Sequence, residues 1–225
     1  MKLLILDLDD TLLDNKDLDL DSFRYIIKTF NLKKIDDLQI IKWRKKGMIA
    51  KNILKRMISN KKNVDLESCI KRRLIYLKHG EKKLKLVKSR NAVIDTLKEI
   101  KKRNYIVVIT TSRENKNLVK KIVRYIRISQ YIDKIYCNEN YKQIYNMTLK
   151  DRIILKVKLY NLALDDFNKI SNKKIIAVGN LKADIIASKR LKISPIGIKG
   201  SYRFDSGIFK LTKTIEDFQD ILNFL

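Results

Sequence analysis

The amino-acid sequence predicts an α/β protein with a parallel sheet and a helical subdomain inserted after the first strand. Beyond residue 91, strand-like apolar runs alternate with amphipathic helical segments, which is the pattern of βαβ units. Between residues 21 and 80 the apolar residues recur at helical spacing, without strand-like alternation. One Pro and six Gly argue against a sandwich or barrel rich in tight turns. We therefore expect an α/β core at 1–14 and 89–225 and an all-helical insertion at 15–88.

Each element follows from a local pattern. The first strand is predicted at Lys2–Leu8, where polar residues stop a continuous apolar run. In the insertion, Phe23, Ile26 and Phe30 share one helical face. The helix that begins near Asn91 ends in basic residues, which suit the negative end of the helix dipole. The remaining predicted elements are, in order, a strand at Tyr105–Ile109, a helix at Asn117–Ile128, a strand at Ile132–Cys137, a helix at Lys150–Leu162, strands at Lys174–Val178 and Pro195–Ile198, and a closing helix at Ile215–Leu225.

The chain is strongly basic, with 51 Lys and Arg against 25 Asp and Glu and a formal net charge of +26. Such a charge attracts polyanions, so nucleic acid is a possible partner. The basic residues are spread from Lys28 to Lys213, however, and no aromatic-interleaved patch that could stack bases stands out. Segments such as Lys71-Arg72-Arg73 are interpreted as solvated helix faces or ends. A nucleic-acid partner is therefore not favoured.

Cysteine content and hydropathy indicate the cellular compartment of the protein. Cys69 and Cys137 are the two cysteines, and the sequence has no CxxC motif or Cys/His cluster, which argues against a disulfide scaffold and a zinc site. No stretch approaches the roughly 18 apolar residues of a membrane span. The run Leu3–Leu6 is too short for a signal peptide. We expect a soluble protein of the reducing cytoplasm, with no membrane partner.

Two carboxylates follow the first strand. Asp7 ends the strand and Asp9 comes two residues later, so the two side chains share a direction at the sheet edge where ligands bind. Their repulsion is relieved by a proton or by a hard cation, most simply Mg²⁺. One carboxylate is then free to attack an electrophile while the other moves a proton. The alternative is that Asp9, Asp10 and Asp14 cap a helix or solvate a loop.

Residues 4–12, with the sequence LILDLDDTL, resemble the first signature of the haloacid dehalogenase-like hydrolases. The resemblance extends over essentially the whole chain and implies a Rossmann-like core, a helical cap and Mg²⁺ as the cofactor. It also implies that Asp7 is the nucleophile that forms an aspartyl-phosphate and that Asp9 is the general acid and base. An Asp at position 9 is typical of the phosphatases of this family rather than of its dehalogenases.

Two further motifs follow in the family's order. The strand Ile106–Ile109 ends in Thr110, which the resemblance implies is a hydrogen-bond donor to the phosphate, with the amide of Thr111 beside it. A lysine at the start of a later helix is implied to neutralise the charge of the nucleophile and phosphate. Lys150 is the predicted residue, and Lys156 and Lys158 are the alternatives.

The fourth motif departs from the family's pattern. Gly179 is followed by Asn180 where the family normally has Asp, and Asp184 lies one helical turn further on. An Asn oxygen can bind Mg²⁺ but brings no charge, so a weaker metal site is expected. The implied ligands are Asp7, Asp9, Asn180 and Asp184. The expected function is hydrolysis of a small phosphate monoester. The alternatives are a phosphatase for nucleotides or nucleic-acid ends, and a catalytically weak binding protein with this fold.

Overall fold

The computed structural model describes residues 1–61, 63–78, 80–139, 147–200, 206–208 and 210–225. Its strands in these ranges are β1 (Lys2–Leu6), β2 (Leu13–Asp14), β3 (Lys88–Ser89), β4 (Tyr105–Thr111), β5 (Lys134–Cys137), β6 (Ile175–Gly179), β7 (Ser194–Ile198) and β8 (Thr214–Ile215). Six of them form one sheet in the order β5-β4-β1-β6-β7-β8. All neighbours in this sheet run parallel, as βαβ connections require.

The α-helices form two groups. In chain order they are α1 (Lys16–Thr29), α2 (Asp37–Lys45), α3 (Ala50–Met57), α4 (Leu66–Lys78), α5 (Val93–Lys102), α6 (Lys116–Tyr125), α7 (Leu149–Asp166) and α8 (Lys182–Arg190). The first four belong to a helical segment, residues 16–86, that a 3-10 helix at Gly80–Leu86 completes. The last four cover the sheet. This architecture confirms the predicted α/β class with its all-helical subdomain.

The period-2 alternation of strand residues places a hydrophobic core on each face of the sheet. Leu4 and Leu6 of β1 lie in the core that α5 and α6 cover. Leu3 and Ile5 lie in the opposite core, which α7 and α8 cover. Because β1 is buried on both faces, its sequence is continuously apolar rather than alternating. Among the described helices, none is both long and apolar enough to cross a membrane.

The helical segment has a hydrophobic core of its own. Phe23 and Ile26 of α1 pack there with Ile53 of α3, and all three side chains are fully buried. Cys69 of α4 lies in the same core. The recurring helical spacing of these residues is therefore explained by packing among the four helices.

The chain passes between the sheet and the helical segment through a short antiparallel ribbon. In this ribbon Leu13 of β2 pairs with Ser89 of β3, and Asp14 pairs with Lys88. The division of the chain into 1–14 with 89–225 and 15–88 remains a prediction, and we propose the ribbon as the place where it falls.

The C-terminal helix predicted at Ile215–Leu225 is wrong in its first residues and in its type. Thr214–Ile215 forms β8, which pairs in parallel with Gly197 and Ile198 of β7. A 3-10 helix follows at Phe218–Phe224. The spacing of Phe218 and Ile221 fits an α-helix and a 3-10 helix equally well. Both side chains are buried and pack against α5 and the sheet from the tighter turn.

Candidate active site

Three polar residues lie at the ends of three neighbouring strands. Asp7 directly follows β1, Thr110 lies near the end of β4, and Asn180 directly follows β6. Since β1 pairs with both β4 and β6, these three residues share one edge of the sheet. The amide of Asp7 donates to the carbonyl of Val178 at 2.9 Å, which extends the pairing one residue beyond β1. The structure thus brings together residues of the first, second and fourth motifs.

A buried lysine joins these strand ends. Lys156 of α7 donates from Nζ to Asp7 Oδ1 at 2.5 Å, and its Nζ lies 2.7 Å from Asp184 Oδ1. The same Nζ lies 3.3 Å from the carbonyl oxygen of Thr110. Asp7, Lys156 and Asp184 are each more than nine-tenths buried. We call these three residues the strand-end cluster.

The charges of the strand-end cluster do not balance, because two carboxylates share one ammonium group. Burial raises the pKa of Asp7 to about 7; Lys156 opposes this increase, and the carboxylates of Asp184 and Asp9 add to it. Burial disfavours the charged form of Lys156, but Asp184 and Asp7 hold the pKa of its ammonium group above the ordinary value. The cluster therefore keeps a protonated lysine, and it carries an excess of negative charge once Asp7 has lost its proton.

The placement of Lys156 corrects the sequence-based prediction of Lys150. Lys150 is the second residue of α7 and is exposed. Lys156 lies on the same face of α7 as Ile153 and Tyr160, three residues before it and four residues after it, and both of these side chains are buried. A lysine on the apolar face of the helix was the signal that could have identified it. The second alternative, Lys158, is exposed on α7.

Asp9 is held by two residues that the sequence analysis did not identify. Arg113 donates from Nε to Asp9 Oδ2 at 3.0 Å and from Nη2 to Oδ1 at 2.7 Å. Asn15 donates from Nδ2 to Oδ1 at 2.6 Å. Arg113 is the first basic residue after the strand that contains Thr110, and this spacing was the available signal. The alternative of a helix-start role fits Asp14, whose carboxylate accepts from the amide of Lys16 in α1.

Some buried polar atoms at this edge have no hydrogen-bond partner among the described residues, and two of them belong to predicted site residues. They are Thr110 Oγ1 and Asn180 Oδ1. Thr110 is fully buried and Asn180 nearly so. A buried polar atom without a partner costs about 1–3 kcal/mol, which a ligand or solvent would recover. The hydroxyl of Thr111, by contrast, accepts from the amide of Arg113 at 3.2 Å and shapes the turn after β4.

Asp184 packs against the backbone of the fourth motif. Its Oδ2 accepts from the amide of Leu181 at 3.1 Å, at the start of α8. A Cβ atom placed on Gly179 would lie 2.4 Å from the Cβ and Cγ atoms of Asp184. Only glycine leaves room for this carboxylate, so the close approach of Asp184 requires Gly179.

Of the four predicted magnesium ligands, Asp7 and Asn180 are the two that would hold a cation. The strand-end cluster has excess negative charge, which Asp7 contributes in part, and Asn180 offers a buried oxygen without a described partner. The carboxylates of Asp9 and Asp184 are engaged in the contacts given above, and that of Asp7 accepts from Lys156 Nζ at 2.5 Å and from Thr11 Oγ1 at 3.3 Å. No group of three or more His, Cys, Asp or Glu side chains is arranged as a metal site in the described ranges. These residues fit Mg²⁺ provided that water or substrate oxygens complete its coordination.

A cavity of about 1000 Å³ opens between the strand ends and the helical segment. Asp7, Asp9, Lys156 and Asn180 line it from the sheet. From the helical segment it is lined by a second buried ion cluster, which we call the helical cluster and which consists of Asp19, Arg44 and Arg73. The interpretation of Lys71-Arg72-Arg73 as a solvated face is therefore wrong for Arg73, which is 6% exposed. Among 51 basic residues, no sequence signal distinguishes it.

The fold and the strand-end site define a Rossmann-like α/β protein that carries two carboxylates after its first strand and a buried lysine from a later helix. The model of the haloacid dehalogenase-like hydrolases matches residues 4–198, and the chain belongs to this family. No curated protein matches the sequence.

Several solved structures share the fold at low sequence identity. A candidate phosphatase from Clostridium difficile is 21% identical, with a TM-score of 0.78 and coverage of 100% of this chain and 98% of its own. A candidate phosphoglycolate phosphatase from Haemophilus somnus is 20% identical, with a TM-score of 0.73 and coverage of 100% and 97%. A candidate β-phosphoglucomutase from Thermotoga maritima is 19% identical, with a TM-score of 0.71 and coverage of 100% and 98%. At these identities the similarity establishes the fold alone.

Proposed function

We propose that this hydrolase is a Mg²⁺-dependent phosphatase that acts on a small phosphate monoester through an aspartyl-phosphate on Asp7. The observation that carries the proposal is the 2.5 Å contact of Lys156 Nζ with Asp7 Oδ1, next to the buried hydroxyl of Thr110. A nucleophile, a cation and a hydrogen-bond donor are thus present at one sheet edge. Transfer of a phosphoryl group depends chiefly on such positioning and charge stabilisation.

In the first step, a carboxylate oxygen of Asp7 forms a bond to phosphorus while the bond from phosphorus to the ester oxygen breaks. Asp9 enters this step protonated and gives its proton to the departing alkoxide, which leaves as an alcohol. The carboxylate that results is the form that accepts from Arg113. Lys156 offsets the negative charge that accumulates as the two anions approach. The hydroxyl of Thr110 donates a hydrogen bond to a phosphoryl oxygen without adding negative charge.

In the second step, Asp9 takes a proton from a water molecule, whose oxygen attacks the phosphorus of the aspartyl-phosphate. The bond between phosphorus and Asp7 breaks, and inorganic phosphate leaves. The hydrogen bonds from Arg113 and Asn15 fix the direction of the Asp9 carboxylate. We assign Arg113 and Asn15 the task of orienting this group.

When bound, Mg²⁺ would reduce the repulsion between the carboxylate of Asp7 and the phosphate of the substrate. Asp7 and Asn180 would hold it. Because Asn180 brings an oxygen but no charge, we expect weaker metal binding than an Asp would give at this position. Replacement of Asn180 by Asp would accordingly lower the Mg²⁺ concentration needed for half-maximal activity.

The proposal is tested by hydrolysis of p-nitrophenyl phosphate with Mg²⁺ and with EDTA, for the wild type and for Asp7→Asn. We expect turnover that requires Mg²⁺ and is lost in Asp7→Asn. Asp165→Asn, which makes the same change at an exposed site on α7, should keep the wild-type rate. If the wild type shows no Mg²⁺-dependent turnover above Asp7→Asn across common phosphate esters, a binding protein without catalytic activity becomes the better account.

A further inference from the structure

The wall of the cavity that belongs to the helical segment is strongly basic. Among the described residues of that segment that line the cavity, one is acidic, Asp19, and five are basic, namely Arg44, Lys45, Lys46, Lys51 and Arg73. The three lysines are exposed at the rim, whereas the two arginines lie inside. A wall with this charge balance attracts an anion into the cavity.

The two arginines are held rigidly. Arg44 of α2 donates to Asp19 from Nε at 2.9 Å and from Nη2 at 2.8 Å, and from Nη1 to the carbonyl of Met48 at 3.1 Å. Arg73 of α4 donates to the same carboxylate. Both guanidinium groups lie over the ring of Phe23, at 5.3 Å for Arg44 and 4.6 Å for Arg73. Their positions are therefore fixed before any ligand arrives, which lowers the ordering cost of binding.

The charge of the helical cluster favours an anion rather than a cation, since two guanidinium groups share one carboxylate. A guanidinium group has five N–H donors, so Arg44 keeps two for a carboxylate or phosphate beyond the three hydrogen bonds given above. Both arginines are more than nine-tenths buried, so a hydrogen bond to them is weakly screened by solvent. The wall between this cluster and the strand ends contains apolar side chains such as Leu54, Leu74 and Met48.

We propose that Arg44 and Arg73 bind a second anionic group of the substrate. The ligand is a phosphate monoester whose leaving group carries a carboxylate or a further phosphate on a short, partly apolar body. The strand-end cluster takes the phosphoryl group that is transferred, and the helical cluster takes the other anion. This inference rests on the proposed phosphatase function and adds the class of substrate.

Two aryl esters with similar leaving groups test it, namely p-carboxyphenyl phosphate and its neutral analogue p-carbamoylphenyl phosphate. For the wild type with Mg²⁺, we expect a KM for the carboxylate ester that is at least about tenfold lower than for the amide, since a charge-assisted hydrogen bond contributes about 1.5–3 kcal/mol. The ratio of the two KM values is measured within one protein and does not depend on how much of a variant is folded.

Arg73→Gln should bring this ratio close to one, and Lys51→Gln, at the exposed rim, should lower it by a smaller factor. Lys55→Gln, which removes an exposed charge of α3 that does not line the cavity, should leave the ratio unchanged. Equal KM values for the two esters in an active, Mg²⁺-dependent wild type overturn the second-anion site and leave the phosphatase proposal standing. A ratio that survives in Arg73→Gln also overturns it. Hydrolysis of neither ester, nor of p-nitrophenyl phosphate, overturns the proposed function as well.

Discussion

The strand-end cluster and the helical cluster are built alike and charged oppositely. Each consists of three buried ionisable side chains in which one central group is shared by two partners of the other sign. At the strand ends the central group is an ammonium and the excess charge is negative. In the helical segment the central group is a carboxylate and the excess is positive. Both clusters line the same cavity.

This difference in sign gives one cavity a site that favours a cation and a site that favours an anion. The negative excess at the strand ends favours a cation and a protonated lysine, which phosphoryl transfer requires. The positive excess in the helical segment favours an anion. In each cluster, removal of the central group leaves two like charges buried together, whereas removal of a partner brings the charges closer to balance. The two kinds of substitution should therefore have opposite or very unequal effects on stability.

The largest effect is expected for Asp19→Asn, which leaves Arg44 and Arg73 without the carboxylate they share. The free energy of unfolding should fall by about 3–5 kcal/mol, the usual cost of breaking a buried ion pair on one side. Urea denaturation followed by circular dichroism measures it. The control is Asp17→Asn, which lies on the same helix as Asp19 and removes an exposed ion pair with Lys88. It should lower the free energy of unfolding by less than about 1 kcal/mol. Similar losses for the two variants would show that the helical cluster is not a charged unit.

The second-largest effect is expected on kcat, when Lys156, the central group of the strand-end cluster, is replaced. Lys156→Met should lower kcat with p-nitrophenyl phosphate by about 10²–10³-fold, because a fixed positive charge beside the transferred phosphoryl group is lost. Lys150→Met, the matched change at the exposed start of the same helix, should stay within about twofold of the wild type. Both rates come from the same steady-state assay. A larger loss for Lys150→Met than for Lys156→Met would return the catalytic assignment to Lys150.

A smaller effect of opposite sign is expected for Asp7→Asn in metal-free protein. Because burial raises the pKa of Asp7 from 3.8 to about 7, the folded protein holds a proton there that the unfolded chain releases near pH 4. The stability of the wild type should therefore fall as the pH rises from about 4 to about 7 and then level off. Asp7→Asn lacks this loss and should be the more stable protein at pH 8 in EDTA.

Thermal unfolding of both proteins between pH 4 and pH 8 measures this difference. The advantage of Asp7→Asn should grow up to about pH 7 and should shrink when Mg²⁺ is added to the wild type. A wild type that is equally or more stable than Asp7→Asn at pH 8 without metal would mean that the strand-end cluster carries no excess negative charge.

The sequence was sufficient for five of the six strands of the sheet and for the polar residues at three strand ends, because both follow from local patterns. Asp7, Thr110 and Asn180 each end a buried apolar strand, and parallel strands bring their carboxyl ends to one edge. The family signature added the order of the motifs. Boundaries within βαβ units were reproduced to within a few residues for the same reason, since apolar periodicity marks them directly.

What the sequence left open depends on contacts between distant segments. Lys156 and Lys150 belong to one helix, and only the packing of α7 against the sheet decides which of them faces Asp7. Arg113 reaches Asp9 across 104 positions of the chain. Arg44 and Arg73 belong to basic helices in which the buried arginines resemble the exposed lysines around them. In a chain with this many cations, charge alone identifies none of these residues.

The covalent intermediate on Asp7 is the central claim, and acid quenching tests it most directly. The protein is mixed with p-nitrophenyl phosphate and Mg²⁺, quenched in acid within the first turnovers and digested for peptide mass spectrometry. We predict one phosphoryl group on the peptide that contains Asp7 in the wild type, and none on that peptide in Asp7→Asn. Turnover with no phosphoryl group on this peptide, or with one on a different residue, would contradict the account.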